Sequence, residues 1–300
     1  MGNTSSILLI DKPSGITSFS VLSPVKRTID RKVGHAGTLD KFAHGLVIAL
    51  TGRFTKLNTL FSTLDKTYIA TFEFGKQTDT LDPEGNIIAE SDVPDLETLS
   101  AVIKDSFTGE IDQIPPVYSA VHVNGKRSYA LARSNMEVTL ESRKVTIYSL
   151  DIISWEKPYL TVKIHCSKGT YVRSLARDIA LAAGSRGYVT QLERISIGPY
   201  SISDAVSVDD KESLSAMTAR TRELLGVLPK TGIIEIADKA RVPMMHGNLP
   251  KEEYIISRKL SCGDEYALIL DKEGTMLAVV TVDSIGKIGK SVAILKQENE

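Results

Sequence analysis

Gly34-His35-Ala36-Gly37-Thr38-Leu39-Asp40, followed by the apolar run Leu46–Thr51, is the stretch on which the reading of this chain turns. Its two glycines permit positive φ and close backbone approach. His35, Thr38 and Asp40 crowd polar groups into seven positions, and the run behind them has the length of a strand. A carboxylate at the end of such a loop suits a nucleophile, a general base or a metal ligand. It also suits an Asp that merely caps a turn, and taken alone the residues favour that plainer role. The spacing matches neither Gly-x-x-x-x-Gly-Lys-Ser/Thr nor Gly-x-Gly-x-x-Gly, so it gives little support to a phosphate cradle.

Upstream of this loop, Ser6–Ile10 is a short strand ending in the breakers Asp11-Lys12-Pro13-Ser14-Gly15. Thr17 or Ser18 then caps a helix toward Ile29, with Val21, Leu22, Val25 and Ile29 inward and Pro24 bending it or delaying its start. Downstream, Phe54, Leu57, Leu60, Phe61 and Leu64 form a helical stripe. Thr67–Phe74 alternates as a strand, with Tyr68, Ala70, Phe72 and Phe74 on one face. Asp95 caps a helix with Leu96, Leu99, Val102, Ile103 and Phe107 inward.

Lys144–Trp155 and Leu160–Ser167 read as strands. A helix opened by Gly169-Thr170 has Val172, Leu175, Ala176 and Ile179 on its core face, Arg173 and Arg177 on the other, and Gly184 as its C-terminal cap. Tyr188–Ile197 is a further strand, with a helix inside Asp209–Leu225. From about Gly232 the pattern changes to short strands, Asp271-Lys272-Glu273-Gly274 turning between two of them. Strands and helices without regular alternation imply an α+β fold, with a large, mostly antiparallel mixed sheet flanked by helices and a small β-rich domain at the C-terminal end.

With 300 residues, 42% hydrophobic, the chain can bury a substantial core. No stretch is long and apolar enough to cross a bilayer, and Met1–Ile10 lacks the basic start of a signal peptide. Two distant cysteines (166 and 262) and five scattered histidines argue against a zinc site or a disulfide framework, which points to a reducing cytoplasm. The net charge of −1 suggests no nucleic-acid partner by itself. The charges are segregated, however: residues 1–60 carry eight Lys/Arg against three acids, and residues 84–114 carry one Lys against eight acids. Such a distribution either focuses a positive field on one face or makes two solvated faces of opposite sign.

Lys168-Gly169-Thr170-Tyr171-Val172-Arg173, at a strand-to-helix junction, is the second candidate for chemistry, because Arg173 could grip a carboxylate with two N–H groups. Read alone it is a capped helix with a surface Arg. Together, the motifs resemble those of the bacterial tRNA pseudouridine synthase B family over essentially the whole chain. Gly34–Asp40 resembles that family's active-site motif, Leu8–Gly15 its opening signature and Lys66-Thr67-Tyr68 its tyrosine motif. Gly75–Gly85 resembles its Gly-x-x-Thr-Asp-Thr-x-Asp-x-x-Gly loop, and Gln113–Ala120 with Gly125–Arg133 resembles its tRNA-gripping insertion. His165–Arg173 matches its His-Cys-Ser-Lys-Gly-Thr-Tyr-x-Arg motif. Three departures stand out: Lys41 where the family has Pro, His44 where a small residue is usual, and Pro24 within a family helix.

The resemblance implies a pseudouridine synthase domain over residues 1–229, with the gripping insertion at about 113–140, and a PUA-like RNA-binding domain over 230–300. It implies isomerisation of the T-loop uridine of tRNA (U55) by base flipping, with Asp40 as nucleophile. Arg173 would pair with Asp40, and a neighbouring guanidinium favours the ionised carboxylate and fixes its direction. Tyr68 would stack on the flipped base and help remove the C5 proton. His35, Tyr171 and Leu192 would line the pocket, although Leu192 alone reads as core. Lys12, Lys126 and Arg127 would contact RNA. Asp79 and Asp82 are expected to fix their loop through Asx turns. No metal or cofactor is expected, and the enzyme should act as a monomer on the tRNA T-arm. The alternatives are a guide-RNA-dependent synthase, a non-catalytic RNA-binding or folding protein, and an unrelated hydrolase using His35 and Asp40.

Overall fold

A computed structural model describes residues 5–119, 122–123, 126–127 and 140–295. The main sheet is built from β1 (Ile7–Lys12), β2 (Val33–Ala36), β3 (His44–Thr51), β4 (Lys66–Phe74), β7 (Gly109–Gln113), β10 (Arg143–Glu156), β11 (Tyr159–Cys166), β12 (Gly187–Ile197), β13 (Tyr200–Ser201) and β14 (Val206–Ser207). Its order is β14-β1-β3-β12-β4-β11-β10-β7, with β13 on β12 and β2 on β3. Two small hairpins account for the missing numbers: β5 (Lys76–Thr78) with β6 (Ile87–Glu90), and β8 (His122–Val123) with β9 (Lys126–Arg127). The expected side-chain contacts of Lys126 and Arg127 lie outside what is described.

Seven helices are described: α1 (Leu22–Thr28), α2 (Asn58–Ser62), α3 (Leu96–Ser106), α4 (Val172–Ala182), α5 (Lys211–Ala219), α6 (Thr221–Gly226) and α7 (Arg241–Met245). In the main sheet only β1/β14 and β12/β3 pair in parallel, as the mostly antiparallel expectation required. β3 is buried along nearly its whole length because it is covered on both faces. Leu46, Ile48 and Leu50 pack into a cluster with Val21, Leu22 and Val25 of the α1 region. Val47 points the other way, to a second cluster with Tyr68, Phe72, Leu99, Ile103 and Leu175 under α3 and α4.

The expected helix from Thr17 begins only at Leu22. Thr17 Oγ1 instead accepts the Ser20 N–H at 3.0 Å in a preceding turn. Pro24 takes the third helical position, where an absent N–H leaves no hydrogen bond unmade. Asp95 caps α3 as expected, its Oδ1 accepting the Thr98 N–H at 2.8 Å. Leu96, expected inward, is exposed at the first position of that helix. The single helix expected within Asp209–Leu225 is two, α5 and α6.

A separate five-stranded sheet follows, with β15 (Thr231–Ile236), β16 (Ile255–Lys259), β17 (Tyr266–Leu270), β18 (Met276–Val282) and β19 (Ile288–Ile294) in the order β16-β15-β17-β18-β19. Asp271–Gly274 makes the expected turn, Gly274 donating to the Asp271 carbonyl at 2.9 Å. Its two faces have different partners. Ile234, Ile269 and Val280 close over Ala240 and Met244, while Leu268, Leu270, Val279 and Ala293 join the cluster containing β1 and α1.

Where β3 meets β12, Gly45 opposes Arg194 in the parallel register. Gly45 has φ +106°, and a Cβ there would lie 2.5 Å from the Arg194 carbonyl oxygen. Only glycine lets the two backbones approach this closely. Gly45→Ala should therefore cost roughly 1–3 kcal/mol from backbone strain alone, read as a lower urea midpoint; an unchanged midpoint would show that the strands part without penalty.

Candidate active site

Gly34–Asp40, expected to be a loop throughout, starts as β2, which pairs with β3 through Val33–Ala36. The free loop is residues 37–43, and its buried backbone needs partners. Arg194, 1% exposed, supplies the first ones. Its Nε donates to the Leu46 carbonyl at 2.7 Å, and its Nη2 and Nη1 reach the Gly37 and Thr38 carbonyls at 3.2 and 3.4 Å. Ser18 clamps Leu39 from both sides, its Oγ accepting from Leu39 N at 2.8 Å and donating to Leu39 O at 2.9 Å.

Lys12 completes the cradle, donating from Nζ to the Ala43, Pro13 and Lys41 carbonyls at 2.6, 2.9 and 3.4 Å. Gly15 N–H donates to the Lys41 carbonyl at 2.8 Å, and Ser14 Oγ to the Phe42 carbonyl at 2.6 Å. The Leu8–Gly15 signature thus has a physical meaning: it is the other half of the loop that carries Asp40. It also corrects the role expected of Lys12. That side chain is fully buried, so it supports the loop from below and presents no surface to RNA.

With its backbone held, Asp40 turns its carboxylate to Arg173 at the start of α4. Arg173 Nε lies 2.9 Å from Oδ2, and Nη2 donates to Oδ1 at 3.1 Å. Arg173 was expected on the outer face of its helix but is 4% exposed. The Nε approach is an ion-pair contact without hydrogen-bond geometry, while the terminal nitrogens are fully engaged: Nη1 donates to the Thr80 carbonyl at 2.9 Å and to Asp82 Oδ2 at 3.3 Å, and Nη2 also to the Tyr118 carbonyl at 3.0 Å. A buried cation is tolerable only when so matched.

Asp82 does make the expected turn, accepting from Glu84 N at 3.0 Å and from Thr80 Oγ1 at 2.6 Å. It also shares Arg173 with Asp40, which sequence reasoning missed. Burial raises the Asp82 carboxyl above its usual range, while Thr80 and Arg173 pull the other way.

Tyr68 projects from β4 into the cluster containing Leu39, Val172 and Leu192. Burial pushes its hydroxyl above the usual range, against the pull of Arg194 beside it. Its phenol is therefore neutral at neutral pH. Leu192 is buried in the same wall. His35 sits half-buried on β2, and burial together with Arg194 lowers its pKa, so the neutral imidazole prevails at pH 7.

Tyr171 caps α4, and its backbone is gripped by the Gln113 amide: Tyr171 N donates to Oε1 at 2.8 Å and Nε2 donates to Tyr171 O at 3.1 Å. Arg194 carried no signal of its own in the sequence, Ser18 was expected as a helix cap, and Gln113 was expected only as the start of the tRNA-gripping insertion; none pointed to this role. Lys41, the departure from the family's Pro, pairs with Glu84 at 2.7 Å and so ties the Asp40 loop to the Gly75–Gly85 loop. The pair is exposed and contributes about 0–1 kcal/mol.

Among the described residues no group of His, Cys, Asp and Glu is arranged to hold a metal, and no helix is long and apolar enough to cross a membrane.

Comparison with known proteins shows the family. The model of "TruB family pseudouridylate synthase (N terminal domain)" matches residues 26–172. The tRNA pseudouridine synthase B of Borreliella burgdorferi (strain ZS7) is 39% identical over 277 residues, 91% of this chain and 93% of the relative. The chain belongs to the TruB family of pseudouridylate synthases. The Bordetella avium tRNA pseudouridine synthase B is 41% identical over 236 residues, covering 75% of this chain and 96% of that one. Among solved structures, a Cbf5–Nop10–Gar1 complex aligns over 98% of this chain and 84% of the matched chain, with TM-score 0.68 and 23% identity. An archaeal box H/ACA sRNP Nop10–Cbf5 complex aligns with TM-score 0.67 and 22% identity, over 98% and 86%. At these identities the structural likeness shows the fold alone.

Two predictions concern the TruB-family cradle. Ser18→Ala leaves the buried Leu39 N–H and C=O without their shared partner, which should cost roughly 1–3 kcal/mol; denaturant titration checks it, and no loss would mean the loop holds itself. The second concerns pH. Burial lowers Lys12 from 10.5 to about 8. Between those two values the unfolded chain holds a proton the folded chain has lost, so this group makes stability rise with pH across that window. The stability of the wild type minus that of Lys12→Met should increase between pH 8 and 10; a flat or falling difference contradicts the shift.

Proposed function

We propose that this chain is a stand-alone enzyme that converts uridine to pseudouridine in the T-loop of tRNA, at position U55, with Asp40 as its nucleophile. The observation that carries the reading is the two-point contact between Asp40 and a buried Arg173, in a loop whose backbone is held on every side. A carboxylate so fixed is aimed before substrate arrives, which is what nucleophilic attack on a flipped nucleotide requires. In the reaction the C1′–N1 bond breaks and C1′–C5 forms; the C5 proton leaves and N1 gains one. The product is an isomer, and the chemistry calls for no oxidant or reductant.

Each neighbour has a role in that scheme. Tyr68 forms the wall on which the extruded base stacks, with Leu192 and Tyr171 closing the pocket and His35 holding the displaced nucleotide. Stacking on one aromatic is worth ~1–3 kcal/mol and extrusion costs a few kcal/mol, so further contacts to the RNA are needed. Residues 1–229 form the catalytic domain in this reading, with about 113–140, including Lys126 and Arg127, gripping the T-arm. Residues 230–300 act as a PUA-like module on the same tRNA. The enzyme works as a monomer in the cytoplasm. The names of the relatives and the Gln113–Ala120 segment favour this reading over a guide-RNA-dependent synthase. The joint presence of Asp40, Tyr68 and Arg173 favours it over a non-catalytic RNA-binding protein.

The test is nucleotide-resolution mapping of pseudouridine in a tRNA transcript incubated with the pure protein. Modification at the T-loop uridine is expected, and its absence there overturns the reading. Asp40→Asn should lower turnover by roughly 10³-fold or more while RNA binding survives, because no other group replaces a nucleophile. Near-normal turnover by that variant would remove Asp40 from the role.

A further inference from the structure

Arg143, the first residue of β10, is used by nothing described so far. It pairs in register with Gln113 on β7, the residue whose amide grips the Tyr171 backbone. Its guanidinium lies over the Tyr171 ring, 4.7 Å from the centroid. Two strands thus deliver an amide and a cation to one aromatic residue, two positions before Arg173.

Among the described residues, neither Nε nor Nη2 of Arg143 has an acceptor, although both atoms are shielded from solvent. This is anomalous, because covered N–H groups of a charged side chain without a partner cost more than those of a neutral one. The next residue shows the ordinary arrangement: Lys144 reaches Glu110 at 2.6 Å. The aromatic face offers only a weak, one-sided attraction, ~0.5–2 kcal/mol.

We propose that Arg143 is a phosphate-binding residue, and that its unfilled N–H groups receive a phosphodiester of the substrate RNA beside the extruded uridine. Three features select this ligand. A guanidinium edge fits two oxygens of one phosphate, whereas an ammonium offers only a point charge. The Tyr171 ring lies under the cation, and Arg143 pairs in register with Gln113, so the guanidinium is held at this edge before RNA arrives. Tyr171, proposed above to close the base pocket, is the ring that Arg143 covers, so a phosphate bound there would belong to the nucleotide at that pocket. A change of rotamer turns the covered edge outward without moving the backbone. The inference rests on the function proposed above.

The experiment measures binding of a T-arm hairpin RNA to the full chain at several salt concentrations. The panel is wild type, Arg143→Met and Arg143→Lys, together with hairpins bearing a neutral methylphosphonate at each T-loop phosphate in turn. Arg143→Met should weaken binding about tenfold, one charge-assisted hydrogen bond's worth. It should also make the slope of log K against log salt shallower by about 0.7–0.9, as for one lost phosphate contact. Arg143→Lys should keep the slope and recover only part of the affinity. Neutralising one particular phosphate should weaken wild type but leave Arg143→Met unaffected.

An unchanged salt slope, or no phosphate whose neutralisation is masked by Arg143→Met, overturns the proposal even if affinity falls; Arg143 would then serve only to brace Tyr171. Unfolding midpoints of the variants separate a binding defect from a folding one. Failure of the underlying function looks different, since wild type would then leave the hairpin unmodified.

Discussion

Arg173 is a cation taken out of water at the first turn of α4, and that placement constrains everything around it. A buried guanidinium with unmatched N–H groups costs several kcal/mol, so the fold brings acceptors from three segments: Asp40, the Thr80–Asp82 loop and Tyr118. Each of those segments must then be held in place. The Asp40 loop is held by Lys12, Ser18 and Arg194, and the start of α4 by Gln113. Removing one partner exposes the cost of the others. The site is thus tied together by hydrogen bonds, although most of its residues lie on loops.

Charge balance follows the same logic. Two carboxylates share one guanidinium, and the surrounding cations, Lys12 and Arg194, donate to carbonyls of the loop. They contribute field without competing for Asp40. Among the described residues Arg173 is the cation that contacts the carboxylate, at both oxygens, which fixes its direction. Catalysis by a preset carboxylate depends on that direction being fixed before the base arrives.

Much of this was legible in the sequence. The alternation of Thr67–Phe74 and Leu160–Ser167 placed their buried faces correctly, because one face of each strand meets the core and period two is decisive. The motifs around Asp40, Tyr68 and Arg173 marked three residues that converge across the sheet. What was not legible were charged or polar groups buried inside regular elements. Arg173 at helical spacing looked like a surface residue, and Arg194 within Tyr188–Ile197 looked like any strand residue. Lys12, expected to contact RNA, is instead fully buried, as few lysines are. In each case long-range partners, 29 to 157 residues away, decide the environment. Asp82 was half legible: its local turn was visible, and its share in Arg173 was not.

The central claim is that Asp40 and Arg173 act as one unit in uridine isomerisation. Single-turnover rates on a T-arm hairpin for Asp40→Asn, Arg173→Lys and the double variant test it most directly. A double variant no slower than Asp40→Asn alone is the predicted result, since the cation then has nothing left to orient. Independent, multiplying losses would contradict the account and give Arg173 a separate task.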